Sequence, residues 1–260
     1  MSGGMSLTGD LDGHPVRAGI PLGDIAAGMY GVIGLLSALM ERVRTGKGRF
    51  VDVAMLDCQI AMLSYQAAYH LLSGLVPGRQ GRGHDSIPTY RSFPCRSGTD
   101  IVITANTDRM WQGLCRALEL ESLTEDPRFL TNELRHDNRE QLWPLLEEAF
   151  GLRVADEWVG ILLDLGIPAA EVNTLEKSLS DPQVLHRNMI VTVKDGDGKT
   201  VRVAGNPIKF AGEAESSARY PPPLGNDQRE VLTTVLQLTD LEIDTLINDG
   251  VLGAPSAKQD

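Results

Sequence analysis

The feature that most constrains the fold is a long apolar segment that follows Gly19-Ile20-Pro21-Leu22-Gly23-Asp24. Asp is a preferred N-cap residue, so we expect a helix that opens at Asp24 and runs to about Arg44. Thr45-Gly46-Lys47-Gly48 then supplies the glycine that commonly ends a helix. Apolar residues surround this segment on nearly every face, which predicts a helix buried on most sides. Glycines spaced three residues apart form a stripe along it, where another backbone can approach closely: Gly28, Gly31 and Gly34.

The composition limits the classes of function. The 260 residues carry 24 Lys and Arg against 35 Asp and Glu, and this net charge of −11 repels nucleic-acid backbones at long range. The stretch from Ile25 to Met40 is shorter than the roughly 20 residues that cross a membrane, so we expect no membrane association. Three cysteines without a C-x-x-C pair, and an N-terminus without a secretory signal, favour a reducing, cytoplasmic setting. Five histidines without metal-ligand spacing predict no metal site.

Downstream of the apolar segment, helix and strand signals alternate. Residues 49–54 alternate in polarity and predict a short strand, and residues 55–75 predict a second helix. The Gly-, Pro- and Arg-rich residues 74–88, called the connector below, are typical of a linker or mobile loop. The charged run from Glu133 to Glu140 indicates a solvated helix face.

The remaining elements give a mixed, α/β composition with few strands for a parallel sheet. We expect hairpins over 89–105 and 190–203, the second turning at 195–198, a strand over 169–173, and helices over 108–119, 136–151, 155–165, 227–237 and 240–248.

Asp24 is the clearest candidate for a catalytic residue, and its position has two interpretations. A carboxylate at a helix N-terminus is favoured in its ionised form and is then available as a nucleophile or base. From the residues alone the simple N-cap is the favoured interpretation, because Asp is a leading N-cap residue type. Other candidates are weaker: Cys95 and Cys115 are expected in the core, and the arginines of the connector region are either anion contacts or solvated loop residues, namely Arg79, Arg82 and Arg91.

These residues together resemble a known family. Residues 19–24, 27–39 and 44–57 are similar to the motifs of the class III CoA-transferases, which include formyl-CoA and carnitine CoA-transferases and the α-methylacyl-CoA racemases. Later segments agree in the same order, at residues 126–129, 138–139, 166–168, 181–184 and 222–225. The resemblance extends from about Ser2 to about Leu252.

The resemblance implies a reaction and a set of site residues. Asp24 matches the nucleophile that carries CoA as an aspartyl thioester between an acyl-CoA and a carboxylic acid. The resemblance also implies CoA-thioester contacts at Met55, Gly81, Gly83 and His84, with CoA as a substrate and no permanently bound cofactor. The implied partners are an acyl-CoA, a small carboxylic acid and a second copy of the chain in an interlocked homodimer.

Departures from the family pattern leave alternatives open. Family members carry a long Rossmann-like segment before the first motif, whereas only 23 residues precede Asp24 here. We therefore expect the C-terminal portion of the family fold: an incomplete Rossmann-like large domain from residues 1–75 and 190–260, and a small α+β domain from residues 80–188. The shortened chain also admits a catalytically silent paralogue. A racemase is a further alternative, although residues 105–108 lack the Glu that racemases place there.

Overall fold

A computed structural model describes residues 1–96, 98–194, 198–213 and 218–253. The chain divides into two compact units, residues 1–172 and residues 173–260. The predicted grouping of residues 1–75 with 190–260 around a small domain of residues 80–188 stays a prediction.

The first unit combines helices with an antiparallel sheet. Its helices are a 3-10 turn at Gly4–Leu7, α1 (Leu22–Thr45), α2 (Met55–Ala61), α3 (Tyr65–Ser73), α4 (Asp108–Ala117), a 3-10 turn at Glu121–Thr124, α5 (Asn132–Asp137), α6 (Arg139–Phe150) and α7 (Ala155–Asp164). The strands are β1 (Tyr90–Pro94), β2 (Asp100–Thr104) and β3 (Ala169–Glu171), in the order β1-β2-β3. The predicted hairpin and the strand near residue 170 are thus confirmed; residue 97 of the hairpin turn lies outside the described residues.

The core of this unit lies between the sheet and helices α4, α6 and α7. The inward face of the sheet carries Phe93 from β1 with Ile101 and Ile103 from β2, all fully buried. Phe93 stacks on Phe150 of α6 with ring centroids 4.7 Å apart, and Phe150 meets Trp158 of α7 edge-on at 5.4 Å. Each such side chain contributes about 1.5–3 kcal/mol on burial, so this cluster holds the unit together.

Arg135 shows that the predicted solvated face over Glu133–Glu140 is wrong at its centre. This side chain is 1% exposed, donates to the carbonyl of Phe129 (2.9 Å) and lies 2.9 Å from Asp108 Oδ1. Its guanidinium also covers the ring of Trp111 at 5.0 Å. The charged run therefore contains one buried arginine. Its burial is possible because the guanidinium donates to backbone carbonyls that need a donor.

Helix α1 ends where the sequence predicts, at Gly46, which adopts φ 71° and donates its N–H to the Arg42 carbonyl (2.8 Å). The prediction of burial on most sides is wrong. Among the described residues, Ala26 is the one buried residue of α1, while Met40 is 76% and Val43 90% exposed. The part of the chain that packs on α1 is α2 together with Val51, which lies against Gly34, and this covers one side of the helix.

The argument from length against a membrane span is also wrong. At 24 residues, α1 is long and apolar enough to cross a membrane by length and composition. The absence of membrane association stays a prediction.

Three local predictions between residues 49 and 88 need correction. Residues 49–54 form no strand in the structure, because they pair with no other strand among the described residues. The second helix is broken into α2 and α3 at Ser64, whose φ of 51° lies outside the helical region. The connector is not a free linker: the Gly81 N–H donates to the Gly9 carbonyl, and Asn132 donates to the Ser86 carbonyl.

The second unit contains a hairpin and short helices. Its elements are α8 (Leu175–Ser180), α9 (Pro182–His186), β4 (Ile190–Lys194), β5 (Thr200–Ala204), α10 (Gln228–Thr234) and α11 (Asp240–Asn248). Strands β4 and β5 pair antiparallel with Val191 opposite Val203, as predicted, and residues 195–197 of their turn lie outside the described residues. Thr239 and Glu242 form a capping box at the start of α11.

Candidate active site

Asp24 lies in the first turn of α1, at its third helical position. The helix begins at Leu22, and the carbonyl of Pro21 accepts the first helical hydrogen bond from the Ile25 N–H (3.0 Å). The prediction that Asp24 is the N-cap is therefore wrong. The N-cap is Pro21, three residues earlier than predicted, and proline has no N–H that would be left unsatisfied there.

The Asp24 carboxylate is exposed and has no hydrogen bond or ion pair within the described part of the chain. The N–H groups of Gly23 and Asp24 likewise make no hydrogen bond there, since the first N–H of α1 with a helical partner is that of Ile25. The positive end of the helix dipole favours the ionised carboxylate. The arrangement therefore presents a free carboxylate next to backbone donors that are able to stabilise an oxyanion.

Gln59 of α2 packs against this turn. A Cβ at Gly23 would lie 2.9 Å from Gln59 Nε2, so only glycine allows the amide to come this close. Gln59 Oε1 accepts from Ser2 Oγ (3.1 Å), and Nε2 donates to the Met55 carbonyl (3.4 Å). Met55, the first residue of α2, thus belongs to the helix that meets the N-terminal turn of α1. Sequence reasoning missed Gln59, although its spacing of four from Met55 places both on one helix face.

The other three candidates, Gly81, Gly83 and His84, lie together in the connector. Gly81 has a φ of 59°, a conformation that glycine adopts without strain. Gly83 pairs with Arg91 of β1, and a Cβ there would come 3.0 Å from the Arg91 Cβ. Both glycines are therefore required by the path of the backbone beside His84.

The His84 ring is held in a defined position. It stacks between Tyr65 and Tyr90, with centroid distances of 5.6 and 5.5 Å. Its Nδ1 accepts from the Ser86 N–H (3.2 Å), and Asp85 Oδ1 lies 2.8 Å from the same nitrogen. The other ring nitrogen, Nε2, has no partner among the described residues.

Side chains of α5 and α6 fix the backbone around His84. His136 Nε2 lies 2.9 Å from the Asp85 carbonyl, Asn132 donates to the Ser86 carbonyl (3.0 Å), and Trp143 donates to the Pro88 carbonyl (2.9 Å). These bonds enclose a cleft of about 570 Å³ between the connector and the two helices, a volume in the range of small-molecule sites.

The five predicted residues thus fall into two groups, Asp24 with Met55 and the connector residues Gly81, Gly83 and His84. No hydrogen bond among the described residues joins the two groups directly. The N-terminal segment contacts both of them, because Ser2 bonds to Gln59 and Gly9 accepts from Gly81.

The three arginines considered as anion contacts are engaged by protein groups. Arg79 donates to the carbonyls of Asp10 and Leu11, both at 2.8 Å, and Arg82 lies 3.6 Å from Asp100. Arg91 is 8% exposed, pairs with Glu147 at 3.0 Å and covers the Trp143 ring at 4.1 Å. Burial lowers the pKa of Arg91, and the Glu147 carboxylate opposes that shift. These contacts are structural.

Cys95 and Cys115 are excluded as nucleophiles. Cys95 and Cys115 are buried, as predicted. Burial raises the pKa of Cys95 to about 11 and that of Cys115 to about 12, so neither forms a thiolate near neutral pH.

Comparison with known proteins agrees with this arrangement. A family model described as CoA-transferase family III matches residues 1–228. A succinyl-CoA:glutarate CoA-transferase of Mus musculus is 33% identical over 252 residues, which are 97% of this chain and 58% of that protein. An acetyl-CoA:oxalate CoA-transferase of Acetobacter aceti is 32% identical over 89% of this chain and 58% of its own length. The crystal structure of a CAIB/BAIF family protein from Brucella suis superposes with a TM-score of 0.74 at 34% identity, covering 88% of this chain and 59% of that one.

The family model and the fold together identify the family. The chain belongs to CoA-transferase family III, and the predicted fold class, a part of the class III CoA-transferase architecture, is confirmed. The chain spans somewhat less than three-fifths of the length of the relatives it matches.

Proposed function

We propose that this chain transfers CoA between an acyl-CoA thioester and a small carboxylic acid, with Asp24 as the nucleophile. The observation that carries the proposal is the Asp24 carboxylate itself: it is exposed, lies at the start of α1 and has no competing partner among the described residues. Transferases acting on glutarate and oxalate among the relatives support the reaction class.

The proposed reaction proceeds through exchanges in which one bond to carbon forms as another breaks. The Asp24 carboxylate attacks the thioester carbon, the C–S bond breaks, and CoA thiolate leaves a mixed anhydride. The thiolate then attacks the Asp24 carbonyl carbon, which releases the first acid as a carboxylate and leaves an aspartyl-CoA thioester. The second acid repeats both steps in reverse and regenerates the Asp24 carboxylate.

The surroundings of Asp24 suit both kinds of step. Each attack places negative charge on a carbonyl oxygen, which the free N–H groups of Gly23 and Asp24 and the Gln59 amide are suited to stabilise. Met55, Gly81, Gly83 and His84 are the proposed contacts of the CoA thioester. No proton transfer to carbon is required, which separates this reaction from the acid–base chemistry of a racemase.

Trapping tests the proposal. The chain is incubated with succinyl-CoA and then treated with hydroxylamine or borohydride, and the Asp24 peptide is examined by mass spectrometry. We expect the hydroxamate or the reduced alcohol at Asp24, formed only with the acyl-CoA present. An unmodified Asp24 with measurable turnover would refute the nucleophile and favour the racemase alternative. The absence of both CoA binding and turnover by calorimetry and assay would favour a silent paralogue.

We further propose that the exposed apolar side of α1 is covered by protein in an interlocked homodimer. Met29, Ile33 and Leu36 of this helix are all more than half exposed, an arrangement that costs hydrophobic stabilisation in water. An obligate interface of at least roughly 2,000 Å² is expected for such a pair. Sedimentation should show a dimer at micromolar concentration without detergent. A monodisperse monomer, or recovery only with lipid vesicles, would contradict the proposal.

A further inference from the structure

The cleft between the connector and helices α5 and α6 contains hydrogen-bond donors that the fold itself does not use. His84 Nε2 has no partner among the described residues, and in an imidazolium whose Nδ1–H faces Asp85 Oδ1 at 2.8 Å, Nε2 is a second donor. Arg139 Nη1 donates to the His136 carbonyl (2.9 Å), while Arg139 Nε and Nη2 make no hydrogen bond within the described ranges. Both residues line the same cleft.

The other charged groups that line the cleft face the protein or water, and among them Asp85 keeps one buried oxygen, Oδ1, without a hydrogen-bond partner in the described part of the chain. Arg79 is bound to two backbone carbonyls, and Asp85 accepts from Gln66 Nε2 (3.1 Å) and faces the His84 ring. Glu133 is exposed at the start of α5, where water and the helix N-terminus stabilise its charge. Arg139 is therefore the cationic group of the cleft that is free to bind a ligand, and His84 provides a second donor held rigidly by its two tyrosines.

Apolar side chains form the opposite part of the cleft. Tyr69, Leu75, Val76 and Pro77 line it, and Val76 is 76% exposed. An aliphatic carboxylate fits this cleft, because its charged end would face the two donors and its short apolar chain would contact these residues. The cleft thus combines the two features of a small-molecule site, apolar lining and a few placed polar groups.

We propose that His84 and Arg139 bind the non-reacting carboxylate of a dicarboxylic substrate, whether it arrives as the acyl group of a thioester or as the free acid. The inference rests on the proposed CoA transfer, in which one carboxyl group reacts and a second one has to be held as an anion. A carboxylate has two oxygens that accept from separate donors, and charge-assisted hydrogen bonds are stronger than those between neutral groups. The proposal makes His84 and Arg139 determinants of specificity for dicarboxylic over monocarboxylic or neutral acyl groups.

The test is a titration of the full chain with glutarate, followed by the NMR signals of the His84 ring. Glutaramide, which has the same carbon chain without charge, is the matched probe. We expect a saturable shift with glutarate and none with glutaramide. His84→Gln and Arg139→Gln should each weaken glutarate binding at least about tenfold, the loss expected for a hydrogen bond to a charged group.

Further variants separate binding from structural damage. Arg139→Lys keeps the charge and should recover part of the affinity, and Glu133→Gln removes the opposing charge and should tighten binding a few-fold. His186→Gln and Arg109→Gln replace exposed residues outside the cleft and should leave glutarate binding unchanged. Equal binding of glutarate and glutaramide, or unchanged affinity in both His84→Gln and Arg139→Gln, would overturn the proposal.

The experiments distinguish failure of this inference from failure of the proposed function. CoA transfer through Asp24 with no response of His84 to glutarate would overturn this inference and leave the proposed function standing. Saturable glutarate binding at His84, without any intermediate trapped at Asp24, would refute the proposed nucleophile and leave the binding of a dicarboxylate in the cleft standing.

Discussion

Replacement of Asp24 by Asn separates its chemical role from its structural one. Asn has nearly the same shape, and no hydrogen bond of the side chain is lost, because none is made in the described part of the chain. What disappears is the favourable interaction of a negative charge with the start of α1, which is about 0.3–1 kcal/mol at an exposed position. The free energy of unfolding should therefore fall by no more than about 1 kcal/mol.

The expected effect on turnover is far larger. An amide is a poor nucleophile, and within the described first turn of α1 Asp24 is the one acidic residue. Loss of a covalent nucleophile lowers turnover by about a thousandfold or more, an increase in the activation barrier of at least about 4 kcal/mol. The activation barrier should thus change several times more than the free energy of unfolding does.

The assay measures CoA transfer from succinyl-CoA to glutarate, in this chain alone and in a fusion to the part of a relative that the chain does not span. Asp57→Asn is the matched control, because Asp57 occupies the same third position in α2 and is likewise exposed. Both variants should lose similar stability in urea, and only Asp24→Asn should lose activity. If Asp24→Asn keeps more than about a tenth of wild-type turnover, a barrier change under roughly 1.4 kcal/mol, the nucleophile assignment is wrong.

Three further changes test the packing. Gly83→Ala should lower the free energy of unfolding in urea by about 1–3 kcal/mol, because the added Cβ would press on the Cβ of Arg91 in β1. Gly28→Ala should raise it by about 0.5–1 kcal/mol, because the added Cβ has no atom within 4 Å and alanine favours the helix. Equal effects of the two substitutions would contradict this reasoning. Arg135→Met should cost about 1–3 kcal/mol, since it leaves buried carbonyls without a donor, and a change under about 0.5 kcal/mol would show that the arginine is dispensable. At pH 8 a thiol-specific disulfide reagent should leave Cys95 and Cys115 unmodified in the folded chain, because their pKa values are about 11 and about 12; rapid labelling would show that they are accessible.

The sequence pattern predicted an element correctly where its backbone hydrogen bonds form within the element or with the next strand along the chain. The hairpins form because alternating polarity flanks short turns, and Val191 does pair with Val203. The C-terminal end of α1 follows from Gly46 alone, since glycine accepts the left-handed conformation that stops a helix. Neither result depends on distant parts of the chain.

Predictions failed where the outcome depends on a partner that the pattern does not name. Residues 49–54 have the alternation of a strand, but a strand exists only with a neighbour to bond to, and the described residues offer none. The apolar faces of α1 imply burial, yet they reveal nothing about which polypeptide covers them. Arg135 reads as a surface charge because the carbonyl of Phe129 becomes its acceptor only after the core has formed.

The position of Asp24 shows how a shift of three residues in the N-cap changes the chemistry of a side chain. An N-cap carboxylate accepts from the amide of the second or third helical residue, and that bond competes with its use as a nucleophile. At the third helical position the side chain cannot make this bond, and its own N–H is one of the donors left free at the helix start. Pro21 brings about this shift, because it starts α1 early and leaves Asp24 inside the first turn. The Gly-Ile-Pro-Leu-Gly-Asp sequence therefore places a carboxylate at the positive end of a helix without giving it a capping role, which is what covalent catalysis at this position requires.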